Sequence, residues 1–589
     1  MQNRILCAQL RLQALAKAIT WQEKRTRFMH RWHARRAARA ALATEFVSVP
    51  EPRTIGVLAR GQQLIAGQFL FSGLFVEGRS YTIWDIAAAY PEVADEIHGC
   101  AWLDDLAAVG DAQARALAQK WVFGWIDTYG KGHGDGWTPG ITGRRLMRWI
   151  NHGPFLLRGH DKYASAQFFQ SLARQTLFLS RRWHTTRGLR RFDALAGMIY
   201  ASLSLKSMDR HAEPAIAALA QDCATQIGPD GAIETRKPQD LLDILSLLNW
   251  TMQTLRDAGR TVPTEITEAV ARLVPTLRVL RHADGSLARF HGGGEGIGGR
   301  LDAALFASGI KARPAQDTRM GYARLAAGRT TVIVDAAAPP AGAASVAAHA
   351  STLGFELTSG RRPMIVNCGS GARFGDEWRR ASRATPSHST TMIEGVSSSH
   401  LGPKGRLANG DELLTELPTL VQCSYADDRK LEMSHNGYQA SHGLTHARIL
   451  QLSADGRTLE GKDLLTTLGP EDETAFATAQ TSGGMPFIIR FHLHPDVVPA
   501  IDVDRTTVSL TLKSGEVWQL RHDATTKLSL APSVYLQNRQ LKPIPTQQVV
   551  LSRRTMAYAT RVRWSLAKTQ DTPTAVRDFA KADPLDAID

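Results

Sequence analysis

His349-Ala350-Ser351-Thr352-Leu353-Gly354-Phe355-Glu356-Leu357 runs through the turn Ser359-Gly360-Arg361-Arg362-Pro363 into Met364-Ile365-Val366-Asn367-Cys368-Gly369. Two apolar-rich runs flank a Gly-containing turn, which predicts antiparallel strands with His349 at the mouth of the first and a polar, Gly-ended second strand. A second histidine closes Arg383-Ala384-Thr385-Pro386-Ser387-His388-Ser389-Thr390. Similar β-rich runs recur at 329–335, 390–394, 445–452, 458–464, 487–493, 507–512, 516–521, 528–535 and 546–551, each broken by Gly, Asp or Ser. Short strands without long helices between them predict an antiparallel β-sandwich or super-sandwich over 321–570.

Upstream the period changes. Apolar residues three and four apart predict helices at 97–109, 112–129, 144–157, 163–180, 189–205, 212–226, 241–258 and 266–280. A series of helices at ordinary globular length fits a toroid or a solenoid of helical hairpins over 51–290. Phe69-Leu70-Phe71-Ser72-Gly73-Leu74-Phe75 suits an extended segment. Residues 291–320 are the expected linker, and 571–589 a tail. Phe290-His291-Gly292-Gly293-Gly294-Glu295-Gly296 has neither the Lys nor the strand-to-helix setting of a nucleotide loop, so it reads as a hinge.

The 589 residues exceed one compact core, and 43% hydrophobic with 21% charged content is ordinary for a soluble globular protein. Cys7, Cys100, Cys223, Cys368 and Cys423 are dispersed, which excludes a zinc ribbon and gives no disulfide framework. Of the net +14, much lies in residues 1–50, an expected basic helical extension: up to Glu45, ten Lys or Arg face only Glu23 and Glu45. Such a helix can meet an anionic surface, or it can lie on the body through Leu10, Leu15, Ile19 and Trp21. No apolar run reaches a bilayer-spanning length, and no secretory signal is recognisable, so a cytoplasmic location is the default expectation, with the periplasm as the alternative.

Trp149-Ile150-Asn151-His152-Gly153, Asp230-Gly231-Ala232-Ile233-Glu234-Thr235-Arg236-Lys237-Pro238, Gly321-Tyr322-Ala323-Arg324-Leu325, the His349 segment and Ile489-Arg490-Phe491-His492-Leu493-His494-Pro495 together resemble the heparinase II/III-like family, in its alphaproteobacterial branch. The resemblance covers roughly residues 60–565. It implies an α+β architecture, an incomplete (α/α) helical toroid followed by the antiparallel sandwich, with a substrate cleft between domains. It also implies a polysaccharide lyase that opens uronate-containing acidic polysaccharides by β-elimination. That chemistry needs the carboxylate neutralised, a base for the C5 proton and an acid for the leaving oxygen.

By this resemblance Asn151 neutralises the carboxylate, His152 binds substrate or moves a proton, and His349 is the base or acid. His388 and Arg383 bind substrate, His388 also ordering a hydrogen-bonded cleft, and Arg236, oriented by Glu234, grips a uronate. Metal-containing relatives hold their ion at the positions of Ser351, Asn367 and His388. Ser and neutral Asn are poor zinc ligands, so neither a metal nor a cofactor is expected. Where family lyases carry a tyrosine, this chain continues Gln239-Asp240-Leu241; Tyr322 is the candidate substitute. His492 and His494 share a strand face and are assigned to a polar network. The alternatives are a glycoside hydrolase using a carboxylate pair and a non-catalytic binder of anionic glycan. Nucleic-acid recognition ranks below both because no reading module accompanies the basic segment. No motif identifies a homodimer interface.

Overall fold

The structure, a computed structural model, describes residues 21–569 apart from 23, 38–42, 79–80, 312–316, 394, 403–411, 481–482 and 538–539. These residues fall into two compact units. The first runs to Gly228 and takes in Asp243–Ala271; the second holds Pro229–Leu242 and the chain from Arg272 onward.

The first unit is helical. Its main helices are Ala101–Val109, Ala112–Tyr129, Pro139–Asn151, Lys162–Arg182, Leu189–Ser204 and Ala212–Gln226. Their positions follow the apolar periodicity closely, with two breaks: the expected helix over 97–109 begins only at Ala101, after Cys100 at φ +59°, and that over 144–157 stops at Asn151, where a short turn of helix, Gly153–Leu157, restarts it. Pro139 enters at the first helical turn, where a missing N–H costs nothing. The 60–80 stretch is extended in part: Leu58–Ala66 is helix, and Gln68–Phe71 pairs with Leu74–Glu77 as a hairpin. Gly143 and Gly197 let Pro139–Asn151 press directly on Leu189–Ser204. A Cβ on Gly197 would stand 2.4 Å from the Gly143 Cα, so backbone contact sets where Asn151 sits. Leu10, Leu15 and Ile19 lie outside the described residues. Trp21 is exposed, and the helical stretch 24–37 instead buries His30, Ala34 and Ala37.

The second unit holds two antiparallel sheets. One runs Lys527–Tyr535, Ile544–Thr555, Met485–Leu493, Arg362–Val366, Phe355–Ser359, Thr330–Asp335, Tyr322–Ala327, with Thr391–Ile393 added on Met485–Leu493. The other runs Val421–Asp427, Lys430–Tyr438, Leu444–Leu452, Thr458–Thr466, Ala559–Lys568, Val517–His522, Thr507–Leu512, Val497–Ile501. Ala559–Lys568 alternates exposed and buried residues over most of its length, as in a sheet with one solvated face. Thr330–Asp335 and Phe355–Ser359 are buried throughout, so the first sheet is covered on both faces at these strands. Between the sheets Phe355 stacks on Trp564 with centroids 5.9 Å apart, and Phe491 packs edge-on to the same indole. The strand expected from 351 begins only at Phe355. Leu353 has φ +60°, so residues 351–354 form a bend, and His349 sits in a loop before the strand.

Candidate functional site: a histidine cluster on the first sheet

Thr330–Asp335 ends in a carboxylate that the fold buries completely. Burying a charge is tolerable only with partners, and Asp335 has three neighbours. Arg236 Nη2 donates to Oδ1 at 2.6 Å, the Ser351 hydroxyl donates to Oδ2 at 2.6 Å, and His291 Nε2 lies 3.5 Å from Oδ2. Arg236 spends its remaining donors on backbone. Nε bonds Met320 O, Nη2 also bonds Gly321 O, and Nη1 bonds Ala338 O at 2.6 Å. Gly321, at φ +72°, admits the guanidinium because a Cβ there would stand 2.7 Å from Arg236 Nη2. Tyr322 closes the group, donating its hydroxyl to Arg236 O at 2.7 Å beneath the guanidinium. Burial drives the Tyr322 pKa well above 10. Desolvation alone would lower the Arg236 pKa, and Asp335 overrides it.

This geometry reassigns three expected site residues. Arg236 is locked to Asp335 and to carbonyls and has no fork left for a uronate. Glu234 is exposed and does not orient it; Asp335 does. Tyr322 is fully buried with its proton committed, so it does not stand in for the absent tyrosine. Arg383 is likewise internal, donating to Ala348 O, Glu412 O and Ser345 O. It shapes the loop beneath His349 and does not reach for a ligand.

His349 and His388 are brought together as the resemblance implies. His388 Nδ1 faces Ala384 O at 3.0 Å and must carry the proton there. Its Nε2 is therefore the acceptor toward His349 Nδ1 at 3.0 Å, which makes His349 Nδ1 the donor. The lone pair of His349 falls on Nε2, which has no hydrogen-bond partner among the described residues. Burial, then the neighbouring His388 and His291, hold the His349 pKa well below 6.5. Burial and His492 bring His388 to about 4. His291, which accepts the His349 backbone N–H on Nδ1, is lowered by burial and by Arg236. The cluster is a set of neutral imidazoles.

Ser351, Asn367 and His388 do not fit a structural metal. The Ser351 proton goes to Asp335, Asn367 Oδ1 accepts the Ser389 N–H at 3.0 Å, and both His388 ring nitrogens are bonded. His492 belongs to a polar network, bonded to Ser533 Oγ and Pro386 O. His494 accepts the Asp496 N–H and packs edge-on to Tyr535.

Asn151 and His152 lie in the helical unit, at the end of Pro139–Asn151. His152 Nε2 meets Asp104 Oδ1 at 3.0 Å, while Arg148 Nε and Thr54 Oγ1 donate to the same carboxylate at 2.8 and 2.7 Å. Burial by itself would raise the Asp104 pKa; Arg148 and His152 override it and hold it at about 2. The Asn151 amide oxygen is buried with no hydrogen-bond partner among the described residues.

Sequence reasoning passed over Asp335, His291 and Glu356. Glu356 anchors the first sheet's outer cover through His282 Nε2 at 2.9 Å and the Arg289 N–H at 3.1 Å. The available signal was a carboxylate inside otherwise apolar strand runs, which demands a partner. His291 was hidden in a glycine-rich stretch read as a hinge; it is instead packed, with Gly292 against Ala347 O.

The sheet unit can now be compared with known proteins. Residues 311–565 match the family model of the heparinase II/III-like C-terminal domain. The chain carries a heparinase II/III-like domain. Across 538 residues it is 28% identical to FtsZ-localized protein C of Caulobacter vibrioides, covering 88% of this chain and 89% of that protein. Its fold is that of a heparinase III crystal structure, with TM-score 0.67 at 13% identity, over 91% of this chain and 88% of the other. Heparan sulfate lyase HepC from Pedobacter heparinus gives 0.54 at 14% identity, over 92% and 88%. The architecture is therefore the incomplete helical toroid with an antiparallel β-sandwich, and the His349–His388 pair lies inside the heparinase II/III-like domain.

Proposed function

We propose that the protein is a polysaccharide lyase that cleaves a uronate-containing acidic polysaccharide by β-elimination, with His349 as its proton carrier. One observation carries the reading: the His388–Ala384 hydrogen bond fixes the His349 tautomer so that an unshared Nε2 lone pair remains on a neutral imidazole. That nitrogen removes the C5 proton as the C4–O bond breaks and the C4=C5 double bond forms. The resulting imidazolium, shared toward His388, returns the proton to the departing oxygen. With no tyrosine after Pro238, one imidazole serves both steps. Asn151 keeps the carboxylate-neutralising role given by the resemblance, which its amide N–H groups, as donors, would fill.

His349→Ala, with melting and glycan binding unchanged, is expected to lose about 10²–10⁴-fold in formation of unsaturated uronate ends, followed by their ultraviolet absorbance. Wild-type turnover in that variant rules His349 out. Because the lowered pKa keeps His349 neutral, the rate should stay level down through pH 6.5 and fall only in more acid solution. A second reading is favoured by the commitment of Arg236 and Arg383 to backbone and by a relative named FtsZ-localized protein C. It is a glycan-binding protein without turnover, and it predicts binding of acidic polysaccharide with no new chain ends at any protein concentration.

A further inference from the structure

The sheet unit has a polar cavity, of about 340 Å³, that shares no residue with the His349 cluster. It is lined by Arg278, Arg281 and Arg324 with Asp302, Leu305 and Phe306. Three guanidinium groups face one carboxylate. That carboxylate is already taken: Arg281 grips Asp302 through Nε at 2.8 Å and Nη2 at 3.1 Å. Arg324, on Tyr322–Ala327, bonds carbonyls of Val279 and Arg281 and the Thr331 hydroxyl. Arg278 has one bond among the described residues, Nη2 to Ile310 O at 3.3 Å. Both have a buried Nε–H with no partner among the described residues.

Other interior arginines behave differently. Arg383 is sealed at 2% exposure and distributes its guanidinium over three carbonyls. Here three guanidinium groups line one cavity with a single carboxylate among them, and an oxyanion is the partner that guanidinium forks bind best. Beside the arginines the helix Arg300–Ala307 holds Phe306 at 89% exposure, above a buried Leu305. An aromatic ring so fully presented to solvent gains nothing from the fold. It offers an apolar plate to a ring-bearing ligand.

We propose that this cavity is an acidic-saccharide subsite, in which Arg278, beside Arg324, binds a carboxylate or sulfate while the Phe306 ring lies against the apolar face of the sugar. The inference is independent of turnover at His349, since it concerns binding alone.

Calorimetric titration of the full chain with a uronate-containing hexasaccharide, its sulfated counterpart, a neutral hexasaccharide and inorganic sulfate tests it. Arg278→Gln is expected to weaken both acidic hexasaccharides at least tenfold, and Phe306→Ala severalfold, with the neutral sugar binding poorly throughout. The stronger of the two acidic ligands tells whether carboxylate or sulfate is the preferred group. Phe306 is exposed, so its variant keeps the fold, and an unchanged melting temperature verifies this for each. Unaltered affinity in both variants overturns the proposal. Inorganic sulfate binding as tightly as the hexasaccharides also overturns it, because the cavity would then read charge without a sugar.

Discussion

Two buried clusters in the sheet unit are built from the same residue types: a carboxylate, an arginine and a histidine pair. Around Asp463, His435 Nδ1 accepts the Gly437 N–H, so its Nε2 donates to His446 Nδ1 at 3.2 Å, and His446 Nε2 donates to the carboxylate at 2.7 Å. Arg448, Thr391 and Trp564 supply three more donors, at 2.8, 2.9 and 2.8 Å. Arg448 also reaches Leu353 O and Ser389 O, bracing the backbone beside His388 from the other sheet. Around Asp335 the histidine pair runs the other way. His349 donates to His388, His388 donates to a carbonyl, and the head of the chain is a free lone pair. The first chain begins at a backbone amide and ends on a charge, so it is closed at both ends and stabilises the sandwich. The second is open at its head, which is what proton transfer requires.

If that contrast holds, Asp463→Ala has the largest effect of any single substitution. It strands a buried Arg448 and should cost about 3–5 kcal/mol in chemical denaturation, while the folded fraction keeps its ligand affinity. Acid comes next. His388 and His492 are held from 6.5 down to about 4, so between those values the unfolded chain takes up protons that the fold refuses. Stability present above pH 6.5 should fall by about 1.4 kcal/mol per pH unit for each as pH drops toward 4. Denaturation midpoints measured across pH 7 to 4 that do not move would refute neutral imidazoles here. Asp335→Asn should cost less than the Asp463 change, about 1.5–3 kcal/mol, because Arg236 retains its carbonyl partners. Unlike it, the Asp335 change should lower turnover in the folded protein by loosening Ser351 and His291 beside His349. Smallest is Tyr322→Phe, which removes one hydrogen bond to Arg236 O, about 1 kcal/mol. Unchanged turnover is expected, and a loss of rate matching His349→Ala would return Tyr322 to the chemistry.

The helices and strands were legible because burial imposes a period on the chain. The 3.6-residue repeat places Ala112–Tyr129 and Ala212–Gln226 to the residue, and alternation finds Thr507–Leu512. Strands with weaker apolar signals, Val421–Asp427 and Lys430–Tyr438, escaped it; they alternate polar and apolar residues at a sheet's end. The site was legible in its histidines, through the order of motifs around His349 and His388. What each polar side chain does was not, because a guanidinium or hydroxyl has the same identity whether it faces solvent or a carbonyl. Arg236, Arg383 and Tyr322 look like ligand-binding groups as letters. Folding surrounds them with backbone oxygens from residues far away in sequence, such as Ala338 and Glu412, and uses up their donors. Sequence by itself determined which elements form and which imidazoles are present. Only the tertiary structure decided which polar atoms remain unspent, since hydrogen-bond capacity is consumed by neighbours that chain order does not reveal.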